Sequence, residues 1–231
     1  MLRVLDVLLK LGFSKEFIGT FKHELRLLQV RFYAFLSLRQ RLLLRMIKKQ
    51  KKLKVNLACG LFTKPGWISV DCSRTSKADL YWDLLQRLPF SDNNCAYIFC
   101  EHFLEHLSYP IEVHKFLADC YRILEDGGTL RLILPDVERV IKAYAEGDVE
   151  FLKKAAPQSN SLIEELNLIF HGNPLGEHHY AYDFSSISEL LKGVGFRQVL
   201  KLENGVGSIA AELDRRDEPR MLESLAVEAI K

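Results

Sequence analysis

Residues 54–60, KVNLACG, and residues 67–71, WISVD, decide the fold of this 231-residue chain. The runs 54–57 and 67–70 each predict a short buried strand, and a glycine turn follows the first of them. In open α/β sheets, ligands bind beyond the carboxyl ends of the strands, where Gly60 and Asp71 both fall. A carboxylate at a strand end can accept hydrogen bonds from the two vicinal hydroxyls of a ribose. This layout predicts a binding site for a nucleoside-containing cofactor.

The same turn argues against a dinucleotide cofactor. A dinucleotide fingerprint needs three glycines and an acid roughly 20 residues further on. Here Gly60 is the only glycine of the turn, and Asp71 follows after a much shorter interval. Residues 59–66 are too few for a crossover helix, so no helix N-terminus can hold a pyrophosphate. NAD and FAD are therefore disfavoured, and a plain tight turn between two core strands stays open as the alternative.

Hydrophobic runs along the rest of the chain alternate between the strand and helix patterns of an α/β domain. Strands are predicted over residues 54–57, 67–70, 78–82, 95–100, 129–134, 196–202 and 223–230. Helices are predicted over residues 110–125, 137–146 and 162–170, and one more ends near Gly193, with Ser186 and Glu189 as its capping box. Residues 203–221 are predicted to be a loop.

Five short motifs follow one another in a particular order: VNLACG, GWISVD, DL, LPF and EHFLEH, the last over residues 101–106. In this order they resemble class I S-adenosylmethionine-dependent methyltransferases, and among them a bacterial, type 11-like branch with LNLGCG and EHxLEH motifs. The resemblance extends from residue 53 to about 196 and includes residues 224–229. It implies an α/β fold: a doubly wound, Rossmann-like, mostly parallel seven-stranded sheet whose last strand is antiparallel.

The resemblance also implies S-adenosylmethionine as the cofactor and a set of residues that bind it. These are expected at Asn56, Ala58, Gly60, Asp71, Asp83, Leu84 and Glu101. The first three would line the methionine part, Asp71 would hold the ribose, and Asp83 and Leu84 would lie beside the adenine. Ala58 stands where the family usually has glycine, which adds a methyl group beside the cofactor.

The histidine motif at residues 102–106 supports an alternative function. HFLEH matches the H-x-x-E-H signature of inverted zinc proteases. On a helix, His102 and His106 would share one face and bind zinc, and Glu105 would act as a general base. A third ligand would come from Glu164, Glu165 or Glu177. The interpretation that we favour needs no metal ligand, and places Glu101, His102 and His106 at the cleft beside the transferable methyl. A turn with a purely structural role is the remaining alternative.

A second cluster occupies residues 171–184, HGNPLGEHHYAYDF. Histidines, tyrosines and acids in a loop with glycine and proline are typical of a functional loop. Related methyltransferases have a similar stretch near the acceptor. A histidine suits a general base because its pKa lies near the working pH, so we predict His102, His106 and His179 as the catalytic candidates.

The predicted reaction is displacement at the sulfonium methyl by an oxygen or nitrogen of the acceptor, with S-adenosylhomocysteine as the product. Most of the acceleration is expected from the alignment of nucleophile, methyl and sulfur. By analogy, the acceptor is a small molecule, a saccharide or a lipid-linked glycan. A non-catalytic module that binds S-adenosylmethionine is a further alternative. The sequence leaves the oligomeric state open.

Composition predicts a reduced, cytoplasmic protein. The five cysteines form no C-x-x-C pair, and several fall in predicted strands, where cysteine packs as a small apolar residue. Asp6 and Lys10 interrupt the first apolar run, which argues against a signal peptide. No run reaches the length of a membrane span.

Residues 1–52 differ in charge from the predicted methyltransferase domain at residues 53–231. They carry 13 Lys/Arg and three Asp/Glu, although the whole chain has a net charge of only +2. They predict amphipathic helices in a basic arm. The arm could cover sheet surface left bare by the short connections, or contact the inner membrane surface through residues 1–14. Nucleic acid is a disfavoured partner, because no aromatic–basic motif accompanies the charge.

Overall fold

The computed structural model describes residues 11–172 and 178–231. The expectations for residues 1–10 and the candidate ligand Glu177 lie outside these ranges. The strands are Leu53–Leu57 (β1), Ile68–Asp71 (β2), Leu80–Tyr81 (β3), Cys95–Glu101 (β4), Leu124–Pro135 (β5), Gln198–Leu202 (β6) and Ser224–Ile230 (β7). The helices are Lys15–Leu36 (α1), Leu38–Lys49 (α2), Ile111–Ile123 (α3), Val137–Glu146 (α4), Val149–Ala155 (α5), Leu162–His171 (α6), Phe184–Val194 (α7) and Glu218–Glu223 (α8).

The strands form one sheet in the order β3-β2-β1-β4-β5-β7-β6. All pairings from β3 to β5 are parallel, and β7 is antiparallel to both β5 and β6. This confirms the predicted seven-stranded, mostly parallel, Rossmann-like sheet. The strand order reverses between β1 and β4, and the carboxyl ends of two such strands diverge to leave a crevice for a ligand.

Both faces of the sheet are covered, as a parallel sheet requires. The main core packs α3, α7 and the end of α2 against one face, with Ile47 of α2 fully buried in it. A smaller apolar cluster uses other residues of the same strands. In it, Phe99 of β4, Ile133 of β5 and Ala226 of β7 pack together with Ala210. Ala210 belongs to a 3-10 turn, Ile209–Leu213, within the segment that was predicted to be a loop.

The basic arm packs on the edge strand β3. Gln40 of α2 is fully buried; its Nε2 donates to Asp79 O at 3.1 Å, and its Oε1 accepts from Tyr81 N at 3.0 Å. The side chain therefore satisfies backbone groups that an edge strand leaves unpaired. Arg31 of α1 pairs with Asp83 just beyond β3, with Nη2 at 2.6 Å from Oδ2. Part of the arm is thus integral to the sheet edge.

Two local predictions are wrong. The capping box of α7 uses Asp183 and Ser186 instead of Ser186 and Glu189, because the helix begins at Phe184 and Asp183 is its N-cap. The predicted loop at residues 203–221 contains the 3-10 turn Ile209–Leu213 and the start of α8. Asp217 caps α8 and accepts from Arg220 N, so a short capped helix forms without a long apolar stripe.

The helix that a zinc protease motif needs is also absent. Residues 102–109 are all described, and they form only a 3-10 turn, Leu104–His106, before α3 begins at Ile111. His102 has a φ of +48°, in the left-handed region. The chain therefore turns sharply at the end of β4, and His102 and His106 do not share an α-helical face.

Candidate active site

A cavity of about 220 Å³ lies where β1 and β4 end. Four of the seven residues predicted to bind the cofactor line it: Asn56, Ala58, Gly60 and Glu101. These residues meet because parallel strands β1 and β4 are direct neighbours, so their carboxyl ends open at the same edge. His102, predicted as a catalytic residue, lines the same cavity.

Side chains hold the turn after β1 in a fixed shape. Ala58 and Gly60 both have left-handed backbones, with φ of +53° and +52°. Asn56 is buried, and its Nδ2 donates to Phe62 O at 2.8 Å across the turn. Gly60 N donates to Asp71 Oδ2 at 2.8 Å, which ties the turn to the end of β2.

Asp71 lies at the end of β2, beside this turn. It is 8% exposed, and its Oδ1 accepts from Ser73 N at 2.6 Å. It does not itself line either of the two cavities described here. Each carboxylate oxygen can accept more than one hydrogen bond, so both retain acceptor capacity for a ribose.

Asp83 and Leu84 lie apart from the cavities. Asp83 is 3% exposed and is occupied by Arg31 and by Leu85 N, which donates to Oδ1 at 3.0 Å. Leu84 is buried in the main core. The structure therefore brings Asn56, Ala58, Gly60, Asp71 and Glu101 together, and it directs the Asp83 carboxylate to the arm.

A second, larger cavity of about 350 Å³ adjoins the first. Titratable side chains line much of it: His102, Glu165, His178, Arg220 and Glu223. His102 and Arg220 line both cavities, so the two spaces meet at these side chains. A ligand in the smaller cavity would face a ligand in the larger one across them.

His102 is the centre of a polar network at this junction. Its Nε2 lies 3.1 Å from Ser224 Oγ at the start of β7, and its Nδ1 lies 3.2 Å from Glu105 Oε1. Arg220 Nη1 lies 3.1 Å from the same Nε2 and 2.7 Å from Glu223 Oε1. The imidazole thus has an acid at Nδ1 and a hydroxyl at Nε2, and the guanidinium lies within 3.3 Å of both nitrogens.

Burial and charge act in different ways on three acids of the site. Burial raises the pKa of Glu101, although His102 and Arg220 oppose the shift. Burial also raises the pKa of Glu165. For Glu105, burial acts in the same direction, but the imidazoles of His102 and His106 outweigh it and the pKa falls below its usual range. The two imidazoles therefore favour the charged form of this buried carboxylate.

The other histidines near the site, His106, His178 and His179, differ in what their side chains contact. The His106 and His178 rings meet at a centroid distance of 4.9 Å, edge to face. His179 donates its backbone N–H to Glu105 O at 2.7 Å, while its side chain is exposed. The structure therefore places His102 at the junction of the cavities, whereas neither His106 nor His179 lines either of these two cavities.

Two arginines of the site were not predicted. Arg215 and Arg220 both line the smaller cavity, and both come from the segment predicted to be a loop. The signal for the second was Asp217 followed by Pro219, an N-cap and a first-turn proline that mark a helix start. No comparable local signal marks Arg215.

A buried arginine holds that segment in place. Arg131 of β5 has no exposed surface, and its Nε donates to Asp214 Oδ1 at 2.8 Å. It also pairs with Glu228 and donates to Val206 O at 2.9 Å. The bond to Asp214 joins the sheet to the residue just before Arg215, so this buried network positions the arginine at the cavity.

Burial disfavours the thiolate form of the cysteines. All five lie in the described ranges and are free. Burial raises the pKa of Cys59, the one that lines the smaller cavity, to about 12 and that of Cys72 to about 11. Such thiols stay protonated and unreactive at neutral pH.

Over residues 11–172 and 178–231, no helix combines the length and apolar character needed to cross a membrane.

Comparison with known proteins finds a family similarity in the central part of the chain. Residues 69–132, from β2 into β5, match the family described as methyltransferase domain. No curated protein matches the sequence. Among solved structures, a SAM-dependent methyltransferase from Archaeoglobus fulgidus has 17% identity and a TM-score of 0.49, over 84% of this chain and 91% of that chain.

Two further solved structures have similar scores. A possible histamine N-methyltransferase from Thermotoga maritima has 14% identity and a TM-score of 0.46, over 94% of this chain and 98% of that chain. Phosphoethanolamine N-methyltransferase 2 from Haemonchus contortus has 13% identity and a TM-score of 0.46, over 79% and 49%. The family match supports the predicted cofactor, S-adenosylmethionine, and identifies residues 69–132 as similar to a methyltransferase domain.

Proposed function

We propose that residues 53–231 are an S-adenosylmethionine-dependent methyltransferase domain of the branch with LNLGCG and EHxLEH motifs. One observation carries this proposal: the cavity at the ends of β1 and β4 meets a second cavity at His102 and Arg220. The smaller cavity would hold the cofactor, and the larger one would hold the acceptor. The junction would then be the place of transfer.

The residues of the smaller cavity fit the cofactor. Glu101 Oε1 is buried without a hydrogen bond from the described residues, although Arg220 lies 3.3 Å away. It can accept from the ammonium group of the methionine part. Asn56, Ala58 and Gly60 would border that part, and Asp71 would accept from the ribose. When bound, S-adenosylmethionine supplies an electrophilic methyl on a sulfonium.

Asp83 and Leu84 remain our proposed neighbours of the adenine, at the end of β3. The link between Asp83 and Arg31 of α1 gives the arm a role in this region, because it holds the carboxylate in one position. A change in the arm would then alter the binding of the nucleoside.

On the acceptor side, His102 is our first candidate for the general base. The Glu105 carboxylate lies 3.2 Å from its Nδ1 and can hold the imidazole in one orientation. Proton removal by a positioned base contributes about 10²–10⁴-fold, and alignment of the reacting atoms contributes more. His106 and His179 remain the other candidates. The acceptor would offer an oxygen or nitrogen, on a small molecule or on a saccharide or lipid-linked glycan.

The arm would bring the domain to the inner surface of the cytoplasmic membrane. One face of α1 exposes the apolar side chains Phe17, Phe21, Leu25, Leu28, Phe32 and Phe35. A basic helix with such a face binds anionic lipid surfaces. Flotation with anionic vesicles and its absence with neutral vesicles would support this role, and equal recovery with both would contradict it.

Calorimetric titration with S-adenosylmethionine and S-adenosylhomocysteine tests the proposed function. We expect binding of both, and a loss of about 100-fold or more for Asp71→Ala, because two ribose hydrogen bonds to a charged group contribute about 1.5–3 kcal/mol each. The exposed Asp92→Ala is the matched control and should bind as the wild type does. No heat at millimolar ligand would refute the proposal. Binding without formation of S-adenosylhomocysteine across an acceptor panel would favour a non-catalytic module.

A further inference from the structure

A cluster of side chains that could ligate a metal lies beside the larger cavity, which one of them lines. Glu105, His106 and His178 each offer one ligand atom, and these atoms all lie within 4.8 Å of one another. The H-x-x-E-H motif pairs His102 with His106, whereas the fold pairs His106 with His178. His178 comes from a distant part of the chain and lines the larger cavity.

The backbone brings these residues together independently of any ligand. The N–H groups of His179 and Tyr180 both donate to Glu105 O, at 2.7 Å and 3.3 Å. The start of the 178–184 segment is therefore tied to the 3-10 turn that carries Glu105 and His106. A preformed arrangement of this kind lowers the entropic cost of binding an ion.

The Glu105 carboxylate is the second observation that indicates a ligand. It is 1% exposed, and its Oε2 accepts no hydrogen bond from any residue in the described part of the chain. A buried charge normally requires full pairing, and the His102 contact at 3.2 Å reaches only Oε1. The second oxygen is available to a cation.

The orientation of His178 fits a metal ligand. Its Nδ1 lies 2.8 Å from Ile169 O, and a carbonyl can only accept, so Nδ1 carries the proton. The lone pair is then on Nε2. Metal-bound histidines usually donate their other N–H to a carbonyl or carboxylate in this way, which fixes the tautomer and the ring orientation.

We propose that Glu105, His106 and His178 form a divalent-metal site, of the two-histidine, one-carboxylate type that zinc occupies, beside the larger cavity. Ligands of tetrahedral zinc are separated by about 3.4 Å at bond lengths of about 2.0–2.2 Å, so small side-chain rotations complete the site. Three protein ligands leave a fourth position, next to the cavity that His178 lines. This position would take water or an oxygen of the acceptor and make its proton more acidic. That last consequence rests on the proposed function, whereas the binding of an ion does not.

Zinc sulfate titrated into the purified, metal-free chain tests the site without the cofactor. We expect one equivalent to bind, and a weakening of about 100-fold or more in His178→Ala and in Glu105→Gln, since even outer-shell changes cost about 10–100-fold. His114→Ala, which removes an exposed histidine of α3, is the matched control and should bind zinc normally. Melting curves of the metal-free variants check that each one folds.

Cobalt(II) gives a second measurement, because its visible absorption reports the number and type of its ligands. A four-coordinate spectrum in the wild type that is lost in His178→Ala would support the site. Failure of the wild type to bind zinc at micromolar concentration, or equal binding by the wild type and His178→Ala, would overturn it. Calorimetry with S-adenosylmethionine is read separately, so the failure of one proposal can be told from the failure of the other.

Discussion

At the residue scale, Ala58 is strained and Gly60 is not, although both have left-handed backbones. In this backbone conformation an alanine is about 1–2 kcal/mol less favourable than a glycine. A glycine, however, makes the unfolded chain more flexible, which lowers the stability of the folded protein by about 0.4–1 kcal/mol. We expect Ala58→Gly to raise the free energy of unfolding by about 0.5–1 kcal/mol. Gly60→Ala should lower the free energy of unfolding by a similar amount. The added Cβ would meet no atom within 4 Å, so only the unfavourable left-handed backbone conformation would contribute. Urea denaturation measures both, and changes of the same sign would contradict the argument.

Glu165 gives a prediction about pH at the same scale. Burial raises its pKa in the folded state. As the pH rises above about 4.3, Glu165 therefore ionises in the unfolded chain before it ionises in the folded protein. The free energy of unfolding falls over this interval, until the pH passes the pKa of the folded state. Glu165→Gln cannot ionise, so it should melt higher than the wild type at pH 7 and near the wild type at pH 4. The partly exposed Glu164, whose pKa is lowered by the Asn160 N–H, is the control: Glu164→Gln should melt lower at pH 7. Parallel profiles for the two variants would show that the burial of Glu165 has no such effect.

At the scale of elements, β5 holds the segment 203–217 through one buried arginine. Arg131→Met leaves the buried Asp214 and Glu228 without their partner, and an uncompensated buried charge costs about 3–5 kcal/mol. The variant should also bind S-adenosylmethionine more weakly, because Arg215 follows Asp214 directly. Lys201→Met breaks an exposed pair with Glu138 and should cost less than about 1 kcal/mol. Equal losses in the two variants, measured by guanidinium unfolding, would rule out a special role for the buried network.

At the scale of the whole molecule, the arm is expected to stabilise the sheet. Removal of residues 1–50 exposes the apolar surface around Ile47 and leaves Asp79 O and Tyr81 N without Gln40. Apolar burial is worth about 25 cal/mol per Å², so its loss should give a clearly lower melting temperature in calorimetry. Gln40→Ala alone should show part of the loss. A truncated chain that melts with the full chain would mean that the arm contributes nothing to the stability of the domain.

The sequence alone determined the strands, because hydrophobic runs bounded by turn residues depend only on local chain chemistry. It also determined the turn at residues 56–60 and the acid at the end of β2, since both follow directly on strands. Tertiary structure decided everything that depends on residues distant in the chain. Arg131 is an ordinary strand residue by pattern, and only the fold places it beneath residues 203–217. His178 joins Glu105 through backbone hydrogen bonds that no periodicity encodes. Asp83 pairs with Arg31 because the arm packs on the edge of the sheet, a contact set by the packing of two surfaces rather than by spacing.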